Sequence, residues 1–266
     1  MLENLSGATR VYFIIGHPIA QVKSPNGVTR TFEARGRDAI LVPVHVLPED
    51  VGTFIDAVAR TRNVDGLIVT VPHKFAAQRH CATLSERAQL LTSVNVLRRN
   101  ADQSWHGDMV DGAAFVGGLR NAGCAPAGKR ALLVGAGGAG SAIGLELLDA
   151  GVSRLAVHDG DVQRRDALIA RLEQRHPGKA TAGSADPTGH DVIANATPAG
   201  MRADDALPVD VTKLRPTMFV GDVVTVPEVT PLLAAARDLG CRTSTGVDMF
   251  KVVNGLMVDF FMPSSS

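Results

Sequence analysis

Two charged side chains of this sequence occur where acid–base chemistry is expected. The segment GLIVTVPHK turns through Pro72 after an apolar run and presents Lys74, and the segment GDMVDG places Asp111 before Gly112. A lysine and an aspartate that face each other across a cleft form an acid–base unit, in which the carboxylate orients the ammonium group. Either residue alone is more commonly a solvated charge or a helix cap. The pair is therefore a hypothesis that other motifs must support.

A glycine-rich turn directly follows another apolar run. The segment ALLVGAGGAGSAIG has the spacing G-x-G-x-x-G between a predicted strand and a predicted helix. Glycine permits the tight turn and lets the backbone approach a pyrophosphate, while the helix N-terminus offers free N–H groups and a partial positive charge. This context predicts a dinucleotide site. Its predicted members are Gly135, Ala136, Gly137, Gly138, Ala139 and Gly140.

An acidic residue, Asp159, ends the next predicted strand, RLAVHD. It lies about 20 residues after the turn, where a carboxylate accepts hydrogen bonds from the ribose hydroxyls of NAD. A carboxylate there repels the extra phosphate of NADP, so the sequence favours NAD as cofactor over NADP. Two alternatives stay open: Asp159 or Asp161 caps the following helix, and Arg164 or Arg165 reaches a phosphate.

The elements that must position these residues alternate along the chain. Short β-rich runs are followed by helical stretches, which predicts an α/β fold of two domains with mainly parallel sheets. We predict a substrate-binding domain over residues 1–105 with a closing helix over 246–262, and a Rossmann-type nucleotide-binding domain over 106–245. The predicted strands are VYFIIG, AILVPVHV, GLIVTVP, ALLVGAG, RLAVHD, DVIANAT and MFVGDVV.

Composition excludes several classes of partner. The chain has 266 residues, with 27 Lys plus Arg and 27 Asp plus Glu, so no net charge attracts nucleic acid or an anionic membrane. No apolar run approaches the roughly 18 residues of a membrane span, and MLENLSGATR is not an export signal. The scattered cysteines argue against a disulfide framework and a metal site. We expect a cytoplasmic protein with a small-molecule partner and no metal; monomer and homodimer both stay open.

Taken together, the motifs resemble those of the shikimate and quinate dehydrogenase family over nearly the whole chain. The matching pieces, in the order of the family, are GHPIAQVKSP, VTVPHK, VNV, GDMVDG, GAGGAG, NATPAGM and TPLL. The resemblance implies that Lys74 and Asp111 manage the proton of a hydroxyl group while hydride passes to a nicotinamide. It also implies substrate contacts at Ser24, Thr70 and Asn95.

The same resemblance implies that the NATPAGM segment forms a loop beside the cofactor. Its predicted cofactor-binding residues are Asn195, Ala196, Thr197 and Met201. Ordinary turn chemistry after a strand explains Asn195 and Thr197 equally well. Both interpretations can hold together.

Several positions that are polar in the family are changed in this sequence. The first serine of the family's HSxSP motif is replaced, as are a tyrosine of its DxVYxP motif and a glutamine of its closing helix, next to Asn254. Each unpaired buried polar group costs about 1–3 kcal/mol, so a shikimate carboxylate and its ring hydroxyls are poorly paired here. We expect weak oxidation of shikimate or quinate, or a different alicyclic hydroxy acid as substrate. The changed positions are Val22, Ile68, Val96, Met109, Val110, Thr225 and Val253.

The preferred hypothesis is an NAD(P)-dependent oxidoreductase of the shikimate dehydrogenase type. It transfers hydride reversibly between the nicotinamide and a secondary hydroxyl of shikimate, quinate or a related hydroxy acid. Two alternatives remain: a non-catalytic NAD-binding regulatory module, and an ordinary NADPH-dependent shikimate dehydrogenase of aromatic amino acid biosynthesis. Retention of both Lys74 and Asp111 argues against the non-catalytic module. The preference for NAD or NADP distinguishes the preferred hypothesis from the ordinary NADPH-dependent enzyme.

Overall fold

The chain forms two compact units. The computed structural model describes residues 5–202 and 204–263, so the start of the N-terminal segment lies outside the described residues. One unit comprises Met1–Val110 with Asn254–Ser266, and the other comprises Asp111–Val253. The predicted junction lay between residues 105 and 106, whereas the unit boundary follows Val110. Trp105 belongs to a strand of the first unit, which accounts for the difference.

The first unit contains a six-stranded mixed sheet. Its strands are β1 (Arg10–Gly16), β2 (Ala39–His45), β3 (Val64–Val69), β4 (Thr83–Leu84), β5 (Val96–Arg99) and β6 (Trp105–Asp108). Their order is β2-β1-β3-β5-β6-β4. Only β5 runs antiparallel to its neighbours among these described pairs. The helices are α1 (Ser24–Ala34), α2 (Val51–Ala59), α3 (Lys74–Ala77), which continues into the 3-10 turn Gln78–His80, and α4 (Glu86–Leu91).

The second unit contains a six-stranded sheet in which all described pairs are parallel. Its strands are β7 (Arg130–Val134), β8 (Arg154–His158), β9 (Ala180–Ala182), β10 (Val192–Asn195), β11 (Phe219–Asp222) and β12 (Arg242–Ser244). Their order is β12-β11-β10-β7-β8-β9. The helices are α5 (Asp111–Asn121), α6 (Gly138–Asp149), α7 (Val162–Arg175) and α8 (Pro231–Asp238), with a 3-10 turn at Val211–Lys213. The last helix is α9 (Gly246–Phe261), whose residues from Asn254 onward belong to the first unit.

The predicted α/β fold with mainly parallel sheets is confirmed. Two of the strands that the sequence identified are almost fully buried: every residue of β10 is buried, as is all of β7 after Arg130. The sequence of a strand that is covered on both faces is a continuous run of apolar residues, and this pattern allowed these strands to be predicted. The short strands β4, β5, β6, β9 and β12 were not predicted.

The closing helix contributes an aromatic core to the first unit. Phe261 of α9 packs against Tyr12 of β1, with ring centroids 4.7 Å apart, and Tyr12 stacks on Phe32 of α1 at 4.5 Å. These contacts explain why the end of the chain belongs to the first unit. Within the described part of the chain, no helix is long and apolar enough to cross a membrane.

Candidate active site

Three predicted site residues of the first unit meet at the carboxyl end of β3. Thr70 directly follows β3, and Asn95 directly precedes β5, which pairs with β3. Lys74 begins α3, and its carbonyl accepts a hydrogen bond from the N–H of Val94 at 3.1 Å. The carboxyl ends of strands are where open α/β sheets bind ligands. The fold therefore brings Thr70, Lys74 and Asn95 together at an edge suited to a ligand.

Lys74 and Asn95 are buried rather than solvated. Lys74 is 8% exposed and Asn95 is 1% exposed. The alternative that Lys74 is a solvated surface charge is therefore wrong. Asn95 Oδ1 accepts the N–H of Val110 at 2.9 Å, which fixes the backbone immediately before Asp111. Ser24, the remaining predicted substrate contact, is the buried first residue of α1.

Asp111 lies in the second unit as the first residue of α5 and is 6% exposed. A carboxylate in the first turn of a helix is stabilised by the helix dipole. Asp111 thus stabilises the N-terminal end of α5. Gly112 next to it is needed for packing, because a Cβ there would overlap the carbonyl oxygen of Ala142 in α6.

A buried carboxylate that sequence reasoning missed, Asp108, organises the GDMVDG segment. Arg87 donates to it from Nη2 at 2.6 Å and from Nε at 2.8 Å, and the N–H of Met109 donates at 2.7 Å. The Ser85 hydroxyl also donates to it. Burial raises the pKa of Asp108, but these donors outweigh burial and hold the pKa below its usual value. Asp108 thereby fixes the backbone that leads to Asp111.

In the second unit, the predicted glycine turn connects β7 to α6. Gly135 has φ +100°, which favours glycine. A Cβ on Gly140 would overlap the carbonyl oxygen of Gly135, whereas a Cβ on Gly137 would have no atom within 4 Å. Gly135 and Gly140 are therefore required by packing, and Gly137 leaves open space for the backbone to approach a ligand. A nucleotide pyrophosphate fits this arrangement.

Asp159 lies next to this turn and accepts four hydrogen bonds. They come from the N–H of Ala136 at 2.6 Å, the N–H of Asp161 at 2.8 Å, and Arg164 through Nε at 3.1 Å and Nη2 at 2.6 Å. Burial raises the pKa of Asp159, but the donated hydrogen bonds, led by Arg164, bring the pKa below its usual value. Asp161 is the N-cap of α7 and accepts the N–H of Arg164 at 3.1 Å. The capping alternative is thus confirmed for Asp161.

A cavity of about 1040 Å³ opens beside Asp159 in the second unit. Its walls carry both acidic and basic side chains, and the half-exposed Met201 of the predicted cofactor loop lines it. This volume accommodates a ligand of nucleotide size. The charged residues that line it are Asp159, Asp161, Arg164, Arg202 and Asp205.

The NATPAGM loop is held by a buried polar network. Asn195 Oδ1 accepts the N–H of Thr197 at 3.1 Å and its hydroxyl at 2.7 Å, so the turn interpretation of this pair is confirmed. Asn195 Nδ2 donates to Asp222 at 3.0 Å, and the hydroxyl of Thr230 donates to Asp222 at 2.7 Å. Burial raises the pKa of Asp222, which receives only neutral donors. Gly135 lies against this loop, since a Cβ there would be 2.9 Å from Ala196 C.

The structure thus gathers the predicted cofactor residues of the second unit around one turn and one cavity. Sequence reasoning missed Asp222 and Thr230, whose only sequence signal is their place in the DVVTVP and TPLL segments. No group of three or more His, Cys, Asp and Glu side chains that could hold a metal ion occurs among residues 5–202 and 204–263.

The second unit has a parallel sheet with this glycine turn and cavity, and the first unit buries a lysine at the end of a strand. Together these features define a nicotinamide-dependent oxidoreductase built from two α/β units. Comparisons with known proteins agree. The family model described as the shikimate dehydrogenase substrate binding domain matches residues 14–97. The shikimate dehydrogenase (NADP(+)) of Geobacter metallireducens is 33% identical over 255 residues, covering 92% of this chain and 88% of that protein. The chain belongs to the shikimate dehydrogenase family.

Solved structures give the same result. The ligand-free 5-ketofructose reductase of Gluconobacter sp. strain CHM43 has a TM-score of 0.86 and 27% identity, covering 98% of this chain and 95% of that chain. The quinate dehydrogenase of Corynebacterium glutamicum in complex with NAD has a TM-score of 0.86 and 28% identity, covering 95% and 93%. These similar proteins differ in their named substrates, so the fold and family leave the substrate to be argued from the site.

Proposed function

We propose that this protein transfers hydride reversibly between a nicotinamide nucleotide and a secondary hydroxyl of shikimate, quinate or a related alicyclic hydroxy acid. The observation that carries the proposal is the buried pair of Lys74 and Asn95, next to Thr70, at the carboxyl end of β3. Burying an ammonium group is costly and is maintained where the group has a role. In this proposal residues 1–105 with 246–262 bind the substrate, and residues 106–245 bind the cofactor.

Each site residue has a proposed role. The nicotinamide, when bound, supplies the ring that exchanges hydride with the substrate carbon. Lys74 and Asp111 hold and move the proton of the reacting hydroxyl, and Ser24, Thr70 and Asn95 orient the substrate. The remaining proposed residues bind the nucleotide; they are the turn residues Gly135, Ala136, Gly137, Gly138, Ala139 and Gly140, together with Asp159, Asn195, Ala196, Thr197 and Met201.

Removal of the proposed acid–base groups tests this function. We expect Lys74→Ala and Asp111→Asn each to lower kcat for shikimate or quinate oxidation by about 10²–10⁴-fold, the usual contribution of a positioned acid–base group. Lys129→Ala, which changes an exposed lysine, is the control and should keep full activity. Calorimetric NAD affinity should be unchanged in all three variants, which shows that the nucleotide-binding unit is folded in each of them. Wild-type turnover in both active-site variants would refute the assignment.

We propose NAD rather than NADP as the preferred cofactor. The cavity carries the carboxylates of Asp159 and Asp161, and the Arg164 guanidinium is already paired with Asp159. The quinate dehydrogenase similar to this chain was solved with NAD. The Geobacter relative is named for NADP(+), so the preference needs a direct test.

The ratio of kcat/KM for NAD to that for NADP decides the preference. We expect a ratio above one in the wild-type protein and a ratio about 10-fold lower in Asp159→Asn, because one repulsive charge is removed and Arg164 is released for a phosphate. Asp166→Asn is a matched control, since Asp166 lies in α7 and pairs with Arg165 as Asp159 pairs with Arg164. A wild-type ratio below one would overturn the proposed preference for NAD. Equal ratios in the wild type and in Asp159→Asn would show that Asp159 does not determine the cofactor preference.

A second candidate substrate is a polyhydroxy ketone. Val22 replaces a serine of the family's substrate motif, and Ile68 and Met109, at other polar positions of the family, are 2% and 1% exposed. These changes disfavour a carboxylate, and the similar Gluconobacter protein is named as a 5-ketofructose reductase. Faster reduction of 5-ketofructose than oxidation of shikimate and quinate would favour this candidate. NAD binding without turnover of any of the three would favour a non-catalytic module.

The compartment is proposed on the cysteines. All three, Cys81, Cys124 and Cys241, are free thiols. Free thiols are typical of a reducing compartment, which supports a cytoplasmic location.

A further inference from the structure

A buried carboxyl group without an assigned role lies at the end of β11. Asp222 is the last residue of this strand and is 0% exposed, so it has no surface with which to contact a cofactor or a substrate. Burying a carboxyl group is costly unless hydrogen bonds replace those that water made. The hydrogen bonds of Asp222 therefore indicate what the residue does.

The two oxygens of Asp222 connect three segments of the second unit. Oδ1 accepts Nδ2 of Asn195 at 3.0 Å and the N–H of Val224 at 3.0 Å, and Oδ2 accepts the hydroxyl of Thr230 at 2.7 Å. Asn195 ends β10, Val224 follows β11, and Thr230 is the N-cap of α8. One buried side chain thus fixes the positions of two strand ends and one helix start relative to each other.

Asp222 also determines how the Asn195 amide is oriented. Because Oδ1 of Asp222 accepts the N–H of Val224, it is an acceptor, and the amide must present its nitrogen to it. Oδ1 of Asn195 consequently faces the NATPAGM loop, where it accepts the N–H and the hydroxyl of Thr197. The Thr197 hydroxyl in turn accepts the N–H of Ala199 at 3.2 Å. The conformation of the loop therefore depends on the carboxyl group behind it.

The NATPAGM loop forms one wall of the cavity of about 1040 Å³ in the second unit. Gly200 of this loop has φ +101° and lies against Thr230, since a Cβ on Gly200 would be 3.2 Å from Thr230 Cβ. A displacement of the loop would change the wall that a nucleotide meets. The loop residues that line the cavity are Thr197, Pro198, Ala199 and Met201.

We infer that Asp222 is a positioning residue of the cofactor site, which holds the NATPAGM loop in its nucleotide-binding conformation without contacting the nucleotide. The inference rests on the proposed role of this loop in cofactor binding and adds a residue that acts through Asn195. When the carboxyl group is absent, the Asn195 amide loses its fixed orientation and the loop has to be ordered during binding. Ordering a loop on binding weakens affinity.

The first test is a set of substitutions read by cofactor affinity. NADH and NADPH are titrated calorimetrically, well below the melting temperature, and the better-bound of the two is followed. Asp222→Ala should raise its dissociation constant about 10-fold or more, as expected for the loss of about one net hydrogen bond. Asp222→Asn should stay within about 3-fold of wild type, because an amide keeps the acceptor for Asn195 and Val224 and donates to the Thr230 hydroxyl.

Two further variants separate positioning from stability. Leu172→Ala is the control, since Leu172 is a fully buried residue of α7 in the same unit; it should lower the melting temperature and leave cofactor affinity unchanged. Thr230→Val keeps the shape of the side chain and removes a single donor. It should weaken affinity by less than Asp222→Ala, and it provides the measurement if Asp222→Ala does not fold.

Hydrogen exchange of the cofactor-free protein reads the loop directly. The amides of Thr197 and Ala199 are hydrogen-bonded within the loop, so they should exchange slowly in the wild type. They should exchange faster in Asp222→Ala and in Thr230→Val, and at the wild-type rate in Asp222→Asn and Leu172→Ala.

The remaining outcomes distinguish the inference from the proposed function. Wild-type affinity and loop exchange in both Asp222→Ala and Thr230→Val would overturn the inference, as would an equal loss of affinity in Leu172→Ala. An equal loss in Asp222→Asn and Asp222→Ala would overturn the assignment to hydrogen bonds. If the wild type binds neither NADH nor NADPH, the proposed function fails. If it binds a cofactor but oxidises no hydroxy acid, the proposed substrate fails and the expected effects of Asp222 on affinity would still support the inference.

Discussion

Two glycines of the nucleotide turn are predicted to respond differently to the same added methyl group, one by a loss of stability and the other by a loss of NAD affinity. Gly140→Ala places a Cβ against the backbone of Gly135, with the carbonyl carbon at 2.8 Å. Backbone cannot move aside as a side chain can, so we expect a loss of about 1–3 kcal/mol of folding free energy, as for other overpacking substitutions. In a chain of this size that lowers the melting temperature by about 2–4 °C per kcal/mol.

Gly137→Ala should leave folding stability nearly unchanged. The added Cβ has no atom within 4 Å, and the backbone at Gly137, with φ −72° and ψ −166°, is open to alanine. Loss of the preferred N-cap residue of α6 costs about 0.5–1 kcal/mol. Restriction of the unfolded chain recovers about 0.4–1 kcal/mol. The two effects cancel, and the methyl group remains in the space through which a pyrophosphate approaches.

Calorimetry measures both consequences. Scanning calorimetry of the free protein should show a normal melting temperature for Gly137→Ala and a lowered one for Gly140→Ala. Titration with NAD should show a dissociation constant for Gly137→Ala raised about 10-fold or more. Wild-type NAD affinity in Gly137→Ala would refute the reasoning, as would equal destabilisation by the two substitutions.

Two further predictions concern stability. Arg99 lies 3.9 Å from the centroid of the Trp105 ring and donates to the carbonyls of Val58 and Ala59 at the end of α2, at 2.9 and 3.0 Å. Arg99→Met should therefore lower the folding free energy by about 2 kcal/mol and, in scanning calorimetry, the melting temperature by about 4–8 °C. Arg99→Lys should give an intermediate melting temperature. The pKa of Asp222 is raised by burial, so the folded protein binds the proton of this carboxyl group more tightly than the unfolded chain does. The protein therefore loses stability as the pH rises from the unfolded pKa of 3.8 through the folded pKa. Asp222→Asn should remove that decline in urea unfolding measured between pH 4 and 7, and an unchanged slope would contradict a raised pKa.

The strands that could be predicted are those whose own residues form a recognisable local pattern. The β3 and β10 segments are buried runs of apolar residues, and such runs are visible without knowledge of their neighbours. The β5 segment VLRR and the β6 segment WHGD form an antiparallel pair. Their stability depends on distant contacts such as those of Arg99 with α2, which no local pattern records.

The site residues that could be predicted are likewise those with a local sequence pattern. The glycine turn was predictable because its backbone demands glycine at Gly135 and Gly140, so the residue types themselves report the geometry. Lys74 and Asp111 were found through their motifs. Asp222 and Asp108 were not, because a buried carboxylate is recognised by its donors, and those donors come from separate parts of the chain.

The hydrogen bonds around Asp159 change its predicted contact with the cofactor. From the sequence, this carboxylate is predicted to accept hydrogen bonds from the ribose hydroxyls of NAD. A carboxylate has about four acceptor positions, and here the N–H groups of Ala136 and Asp161 and two nitrogens of Arg164 already occupy that number. Ribose can therefore bind Asp159 directly only if the Arg164 side chain, which is 51% exposed, moves away. Cofactor preference then depends on Arg164: turned away from the cofactor, it leaves Asp159 to the ribose hydroxyls of NAD, and turned towards the cofactor, it becomes a ligand for the extra phosphate of NADP.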